Sequence, residues 1–178
     1  MRAIWTRLAP GIAALALALA SGAANADCDF LTGGGFIIIN GDHANFGVAG
    51  GCKDGTPTWG HLEYIDHSAS LNVHWTSITA YLQSGSDGVD LKNRLTGTRF
   101  ICGTARTNLP FPNDNVDFAV RAKDAGEPGV DDEFDIVLTT NPVYTTFNAG
   151  FPHKLNGGNI QLHGPAVGTG GSCPALFQ

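Results

Sequence analysis

The stretch that decides the fold covers residues 116–138 and reads VDFAVRAKDAGEPGVDDEFDIVL. Apolar and polar residues alternate through its first part, and they alternate again after a turn rich in glycine and acidic residues. Because successive side chains of a β-strand point to opposite faces, each part is expected to form a strand with one buried face. The stretch therefore predicts a β-hairpin. The residues expected on its buried face are Phe118, Val120, Ala122, Phe134, Ile136 and Leu138.

Similar short runs recur along the rest of the chain. They are separated by turn signals such as Asn156-Gly157-Gly158, and no segment after the N-terminus shows helical spacing with caps. This pattern predicts an all-β fold, namely an antiparallel, meander-rich β-sandwich or flattened barrel of about eight strands. The strands expected outside the hairpin cover residues 36–40, 44–51, 60–67, 71–82, 99–107, 143–147 and 159–163, with a break at residues 84–88.

The N-terminus has the features of a secretory signal peptide. Arg2 and Arg7 give a positively charged start, residues 11–20 are apolar, and Ala24-Asn25-Ala26 fits a cleavage site. The apolar run is too short to span a bilayer as a helix. We therefore expect a secreted or periplasmic protein with no membrane insertion after cleavage. Its parts would be a signal peptide over residues 1–26, a single β-domain over residues 27–163 and a Gly/Pro-rich tail over residues 164–178.

The charge of the chain argues against two classes of partner. Ten basic and sixteen acidic residues are present, and cleavage after residue 26 would remove two arginines and no acidic residue. Eight basic residues would then face sixteen acidic ones, a net charge of −8 with the histidines neutral. This surplus disfavours nucleic acid and anionic membrane surfaces, so we expect a surface or extracellular ligand instead.

All four cysteines lie after the expected cleavage site. They are Cys28, Cys52, Cys102 and Cys173. An even number of cysteines in an exported chain predicts two disulfides, for which three connectivities exist. The spacings contain no Cys-x-x-Cys pair and do not fit a zinc finger. We favour Cys52–Cys102 with Cys28–Cys173, since the second pair would fasten both ends of the domain and hold the tail.

Seven short motifs occur in order along the mature chain. They are Thr32-Gly33-Gly34-Gly35-Phe36-Ile37, Ala44-Asn45-Phe46-Gly47, Gly60-His61-Leu62 with Tyr64, Ile101-Cys102-Gly103-Thr104-Ala105, Asp124-Ala125-Gly126-Glu127-Pro128-Gly129, Asp132-Glu133-Phe134-Asp135-Ile136 and Leu155-Asn156-Gly157-Gly158-Asn159-Ile160-Gln161-Leu162-His163. The ordered set resembles the post-COAP type of domain in exported bacterial proteins. The resemblance implies an exported all-β domain that occurs alone or beside repeat and adhesion modules. It implies no catalytic residues.

The turn of the hairpin and the strand ends beside it carry six acidic residues within twelve positions, and five of them are candidate ligands. Calcium takes about six to eight oxygen ligands from carboxylates, carbonyls and water on a bent loop. The spacing is not that of an EF-hand. The stretch therefore predicts a candidate calcium site, and the alternative is a solvated turn whose charges discourage edge pairing. The candidate ligands are Asp124, Glu127, Asp131, Asp132 and Asp135.

Histidines and a glutamate on two neighbouring strands form a candidate zinc group with an open position for water. His61, Glu63 and His67 are expected on one strand, and His74 on the next. His61 and His67 would lie about 20 Å apart along an extended strand, so one ion cannot bridge them. Pairing of His67 with His74 across the turn is the better geometry. The other candidates, His153 and His163, are expected to be polar surface residues.

Four aromatic residues lie close together in sequence, namely Trp59, Tyr64, Trp75 and Tyr81. Aromatic rings exposed on one face of a sheet stack well on sugar rings, so these four are a candidate ligand platform. The alternative is packing in the core, which is the commoner fate of large aromatic side chains in strands.

No motif for nucleophilic catalysis is present. The chain has no Gly-x-Ser-x-Gly stretch, and closure of both disulfides would leave no free cysteine. The sequence thus predicts an exported, disulfide-stabilised β-domain with a non-enzymatic binding or structural role at the cell surface or envelope. The alternative is a secreted hydrolase acting on polysaccharide or peptide. Its concave site would be lined by two carboxylates, for example Glu63 and a residue of the acidic turn, or by histidines that hold a metal.

Overall fold

The computed structural model describes residues 28–53, 56–108, 115–139, 144–148, 150–165 and 171–173. These residues form one antiparallel sheet of nine strands in the order β8-β7-β6-β5-β4-β3-β2-β1-β9, which is not closed into a barrel. The all-β prediction is confirmed, and the described ranges contain no helix. The strands are β1 (Phe30–Ile39), β2 (Asp42–Lys53), β3 (Thr56–Asp66), β4 (Leu71–Val89), β5 (Leu95–Thr107), β6 (Val116–Asp124), β7 (Glu133–Leu138), β8 (Tyr144–Thr145) and β9 (Gly157–His163).

The predicted hairpin is present as β6 and β7. Ala122 lies opposite Phe134, and all six residues predicted for the buried face belong to the core. β7 differs from the prediction because its other face is buried as well. Residues 153–155 run along the part of its outer edge that β8 does not cover, and Asp135 is enclosed there by Thr146 and His153.

β4 is longer than the sequence predicts. It continues through residues 84–88, where we expected a break. The register between β4 and β5 shifts at three places, the last of them between Ser84 and Gly88. A β-bulge lets a strand continue past residues that break the alternation of side chains, which is why the glycine- and serine-rich run does not end β4.

The sheet is bent over on itself, and the core fills the space inside. The rings of Phe46 on β2 and Phe134 on β7 stack with their centroids 3.9 Å apart. These strands are five places apart in the sheet, which would separate them by about 24 Å if the sheet were flat. The sheet must therefore fold back for the two rings to touch.

The outer edge of β9 faces the hairpin tip, residues 125–132, instead of another strand. Asp132 accepts the backbone N–H of Ile160 at 2.7 Å, and Asp124 accepts that of Leu162 at 2.7 Å. The second oxygen of each carboxylate accepts a backbone N–H within the tip. Two buried carboxylates thus accept hydrogen bonds from backbone N–H groups on the outer edge of β9. In a closed barrel, a further strand would pair with β9 at this place.

A buried network of charges joins the start of the described chain to the middle of the sheet. The guanidinium of Arg99 on β5 is fully buried between the carboxylates of Asp29 and Asp87. Tyr81 donates its hydroxyl to Asp29 at 2.5 Å. Burial disfavours the charged guanidinium, but its hydrogen bonds to both aspartates hold the pKa of Arg99 above its ordinary value. The cation is tolerated there because two carboxylates surround it.

The disulfide pattern differs from the favoured one. Cys102 on β5 is joined to Cys173, with their Cα atoms 5.6 Å apart, so Cys52–Cys102 and Cys28–Cys173 are wrong as pairs. Cys28 is also disulfide-bonded, and the described residues include no free cysteine. The side chain of Cys52 lies outside the described part. The prediction failed because Cys102 points to the outer side of the sheet, where residues 171–173 cross it next to Ala80.

The predicted signal peptide, residues 1–26, and most of the predicted tail lie outside the described residues. The division of the chain into signal peptide, domain and tail therefore stays a prediction. Among the residues that are described, no helix has the length and apolar character needed to cross a membrane.

Candidate functional site

The five carboxylates of the predicted calcium site do not converge on one point. Each is held by different partners, and the described residues contain no group of three or more His, Cys, Asp or Glu side chains placed to hold a metal ion. The calcium site stays a prediction. The partners are Gly126 and Leu162 for Asp124, Asn159 and Arg94 for Glu127, Lys154 for Asp131, Ala125 and Ile160 for Asp132, and Thr146 and His153 for Asp135.

Burial divides these carboxyl groups into two kinds. Asp124, Asp132 and Asp135 are buried, and burial raises the pKa of each above its ordinary value although their hydrogen bonds act in the other direction. Asp131 is exposed, and the hydrogen bond from Lys154 lowers its pKa. The acidic turn is therefore solvated only in part, because its inner carboxylates face β9 and residues 153–155.

Asp135 and His153 form a pair beside β7. Nδ1 of His153 lies 2.8 Å from Oδ1 of Asp135, and Thr146 donates its hydroxyl to the same oxygen at 3.2 Å. The aspartate is buried, whereas the imidazole is 30% exposed. A buried carboxylate that orients an accessible imidazole is an arrangement found in general-base catalysis. His153 was expected to be a simple surface residue, and its pairing with Asp135 corrects that expectation.

The predicted zinc group is divided between separate contacts. Glu63 on β3 lies opposite His74 on β4, and its carboxylate contacts Nδ1 of the imidazole. The predicted pairing of His67 with His74 is wrong, because His67 is hydrogen-bonded to Asn45 at 2.8 Å. His61 and Glu63 are both exposed on the outer side of β3.

The predicted aromatic platform does not exist as a unit. Tyr64 and Tyr81 are fully buried, so for them the alternative of core packing is correct. Trp75 is half-buried and also packs against the core. Trp59 lies on the outer side of β3, opposite Gly51 of β2. Alternation along the strands explains the division, since a strand with one face in the core presents only every second side chain to the outside.

The outer face of β9, β1, β2 and β3 is another candidate for a ligand-binding site, and it is recognised from the pairing register of these strands. Directly paired residues of neighbouring strands share a face, and Asn159, Gly34, Gly47 and Glu63 lie in one row across these four strands. The two glycines leave a gap one side chain deep between larger neighbours. We call this gap the glycine depression. Its floor is Gly34 and Gly47, and its rim consists of Thr32, Phe36, Asn45, Ala49, Glu63 and Asn159.

Both floor positions are open. A Cβ atom placed on Gly47 would meet no atom within 4 Å, and one on Gly34 would meet only the carbonyl oxygen of Phe46 at 3.5 Å. Neither glycine has a positive φ. By contrast, a Cβ atom on Gly35 would overlap the carbonyl oxygen of Gly157. Packing therefore requires glycine at position 35, whereas no contact of the described residues requires it at 34 or 47.

Glycine in the interior of a strand is unfavourable, by about 0.5–1 kcal/mol relative to alanine. Where it is not needed for a bulge or a bend, it commonly marks a site that a ligand or another backbone approaches closely. Gly34 and Gly47 meet this description, because they form a direct cross-strand pair without a register shift.

Histidines hold four of the six rim side chains in position. The chain has six histidines in all, and four of them contact side chains of this rim. Side chains oriented in this way need less ordering when a ligand binds. The contacts are the stacking of Phe36 on His43 with centroids 4.3 Å apart, Thr32 Oγ1 to His163 Nε2 at 3.1 Å, Asn45 Nδ2 to His67 Nε2 at 2.8 Å, and the carboxylate of Glu63 against His74 Nδ1.

A groove of about 320 Å³ lies on another part of the surface, beside the Cys102–Cys173 disulfide. Thr79, Asp117 and Ser172 contribute to its walls. The tail that forms one side of this groove is described only at residues 171–173, so we assign no ligand to it.

Sequence reasoning missed the glycine depression because its floor joins residues thirteen positions apart, and only the register brings them together. The available signal was Gly47, which lies inside the strand predicted over residues 44–51, where a glycine can mark the close approach of a ligand. Comparisons of this chain with known protein families, with curated proteins and with solved structures find no match.

Proposed function

We propose that the protein is an exported, disulfide-stabilised β-domain that binds a ligand at the cell surface or in the envelope without catalysing a reaction. The observation that carries this proposal is the glycine depression, an open gap on the sheet whose rim side chains are held by histidines. The resemblance to the post-COAP type of domain agrees with this function, and we include membership of that type in the proposal.

Two features support export. Residues 1–26 have the charge, apolar run and cleavage site of a signal peptide. The Cys102–Cys173 disulfide suits an oxidising compartment, since glutathione and thioredoxin keep thiols reduced in the cytosol.

Sedimentation with isolated cell envelopes tests the binding role. Gly47→Tyr fills the depression with a ring that points into open space, so the fold should be kept while binding falls at least tenfold. Ser86→Tyr is the matched control, because Ser86 is exposed near the far end of β4 and outside the four-stranded face. Equal sedimentation of the wild type and Gly47→Tyr would contradict the proposed site.

A secreted hydrolase is the second candidate, and the Asp135–His153 pair is the observation in its favour. The carboxylate pair expected from the sequence has little support. Asn159, which holds Glu127, lies three strand spacings from Glu63, about 14 Å. Glycosidase carboxyl pairs lie about 5–9.5 Å apart. Turnover of a glycoside or peptide substrate that is abolished by His153→Gln, with the melting temperature unchanged, would establish the hydrolase and overturn the non-catalytic role.

A further inference from the structure

We infer that the glycine depression binds one ring of a neutral, hydroxyl-rich glycan chain. This inference rests on the binding function proposed above and adds the chemical class of the ligand. It follows from the size of the depression, from the chemistry of its rim and from the way the face continues beyond it.

The depression has room for a single sugar ring. The backbones of β9 and β3, which carry Asn159 and Glu63, are about 14 Å apart, and Thr32 is about 13 Å from Phe36 along β1. The rim side chains occupy the outer part of this area. What remains above Gly34 and Gly47 is a floor of bare backbone, where even an added Cβ atom would meet no side chain of the described residues within 4 Å.

The rim combines the groups that recognise a sugar. Thr32, Asn45 and Glu63 offer a hydroxyl, an amide and a carboxylate, which pair with the hydroxyl groups of a pyranose as donors and acceptors. Phe36 offers an aromatic ring beside them, against which the apolar C–H surface of a sugar packs. A few oriented polar groups next to one aromatic ring suit a ligand that is polar at its edge and apolar on its face.

The charge of the face excludes an acidic polymer as the preferred ligand. The described side chains of β9, β1, β2 and β3 include no lysine or arginine, the residues that pair with phosphate or carboxylate groups. The carboxylate of Glu63, which contacts His74, would repel an anion. A neutral ligand therefore suits this face better than an anionic one.

The face also lacks the features of a protein-binding surface. The core of a protein interface is apolar and well packed, whereas this floor is bare backbone and this rim is mostly polar. A peptide that adds a strand needs a free sheet edge. The outer edge of β9 is occupied by Asp124 and Asp132. That of β7 is occupied by residues 153–155 near its start and by Thr146 and the two-residue strand β8 near its end.

Further aromatic rings lie where a chain of linked sugars would continue. Phe30 stacks on His163 with centroids 4.3 Å apart, on the same outer face as Gly34 and about 13 Å from it along β1. Trp59 lies in the same row as Phe30, with Gly51 between them. A glycan that leaves the depression along β1 therefore passes a second stacking surface, which favours a polymer over a free monosaccharide.

Affinity electrophoresis of the mature, oxidised protein (residues 27–178) tests the ligand class. Native gels would contain a neutral polysaccharide (mixed-linkage β-glucan, xylan, glucomannan or starch) or an acidic one (alginate or polygalacturonate). We expect at least one neutral polymer to retard the wild type and Ser86→Tyr, and Gly47→Tyr and Phe36→Ala to weaken that retardation at least tenfold. Melting temperatures establish that both depression variants are folded.

Two results would overturn the inference while leaving the proposed binding function intact. The first is retardation by the acidic polymers alone, with loss in Gly47→Tyr. The second is no retardation by any polymer, together with envelope sedimentation that Gly47→Tyr abolishes. Retardation by a neutral polymer that Gly47→Tyr and Phe36→Ala leave unchanged would place glycan binding elsewhere and would overturn the assignment to the depression.

Discussion

Asp132 accepts the backbone N–H of Ile160 at 2.7 Å although 28 residues separate them in the sequence. Asp132 belongs to the hairpin tip and Ile160 to β9, the last strand. The carboxylate therefore joins the two ends of the bent sheet without a strand between them. Its other oxygen accepts the N–H of Ala125, so one buried side chain satisfies a donor on each side of the gap.

Replacing Asp132 by asparagine should destabilise the fold by about 1–3 kcal/mol, because the amide turns an NH₂ group toward a buried backbone donor. Urea unfolding measures this change, and amide exchange at Ile160 and Leu162 should become faster. Asp131→Asn is the matched control, since Asp131 is exposed and pairs with the side chain of Lys154. Equal urea midpoints for the two variants would show that Asp132 does not close the fold.

Glycine substitutions at neighbouring positions of the sheet should act in opposite directions. Gly47→Thr places a β-branched side chain in open space and should stabilise the fold by about 0.5–1 kcal/mol. Gly35→Thr should destabilise it, since its Cβ would overlap the carbonyl oxygen of Gly157. Thermal unfolding of both variants measures the difference. A lower melting temperature for Gly47→Thr would mean that the fold itself requires glycine there.

Tyr144→Phe should make the protein more sensitive to acid. Burial raises the pKa of Asp66, but hydrogen bonds from Tyr144, at 2.5 Å, and Ser68 outweigh it, so the pKa lies below its ordinary value of 3.8. Ionised Asp66 therefore stabilises the fold above pH 3.8, and this contribution is lost as the pH falls through the lower, folded-state pKa. Without the Tyr144 hydroxyl that pKa rises, and acid unfolding should begin at higher pH.

Carboxyl NMR titration of Asp66 measures this shift directly. Tyr64→Phe is the control, because it removes the 2.7 Å bond between the two tyrosine hydroxyls while leaving Tyr144 bonded to Asp66. The same titration midpoint in the wild type and Tyr144→Phe would refute the role of this hydroxyl.

Peptide mapping should identify the Cys102–Cys173 disulfide. Trypsin without reductant releases residues 100–106 and 155–178, which should remain joined to each other, whereas Cys28 and Cys52 lie together in the peptide that ends at Lys53. The pairing that the sequence favoured would instead link all three peptides. Replacing both Cys102 and Cys173 by alanine should destabilise the fold by about 4 kcal/mol, because the disulfide closes a loop of 71 residues.

The sequence by itself determined the class of fold and the faces of the central hairpin. Alternation of apolar and polar residues is a property of the local backbone, and it placed Phe118, Val120 and Ile136 in the core without any knowledge of their partners. The same local rule also predicted most of the strands. It failed at residues 84–88, where a bulge carries β4 through a run that looks like a break.

The tertiary structure alone decided which distant residues meet. The bend of the sheet buried Tyr64 and Tyr81, brought Asp132 to Ile160, and carried the tail across Cys102. The register alone placed Gly34 beside Gly47 and assembled the rim around them. Such contacts depend on how strands pair and where the sheet folds back, and these are set by the energy of the whole packed chain, which no local pattern of residues encodes.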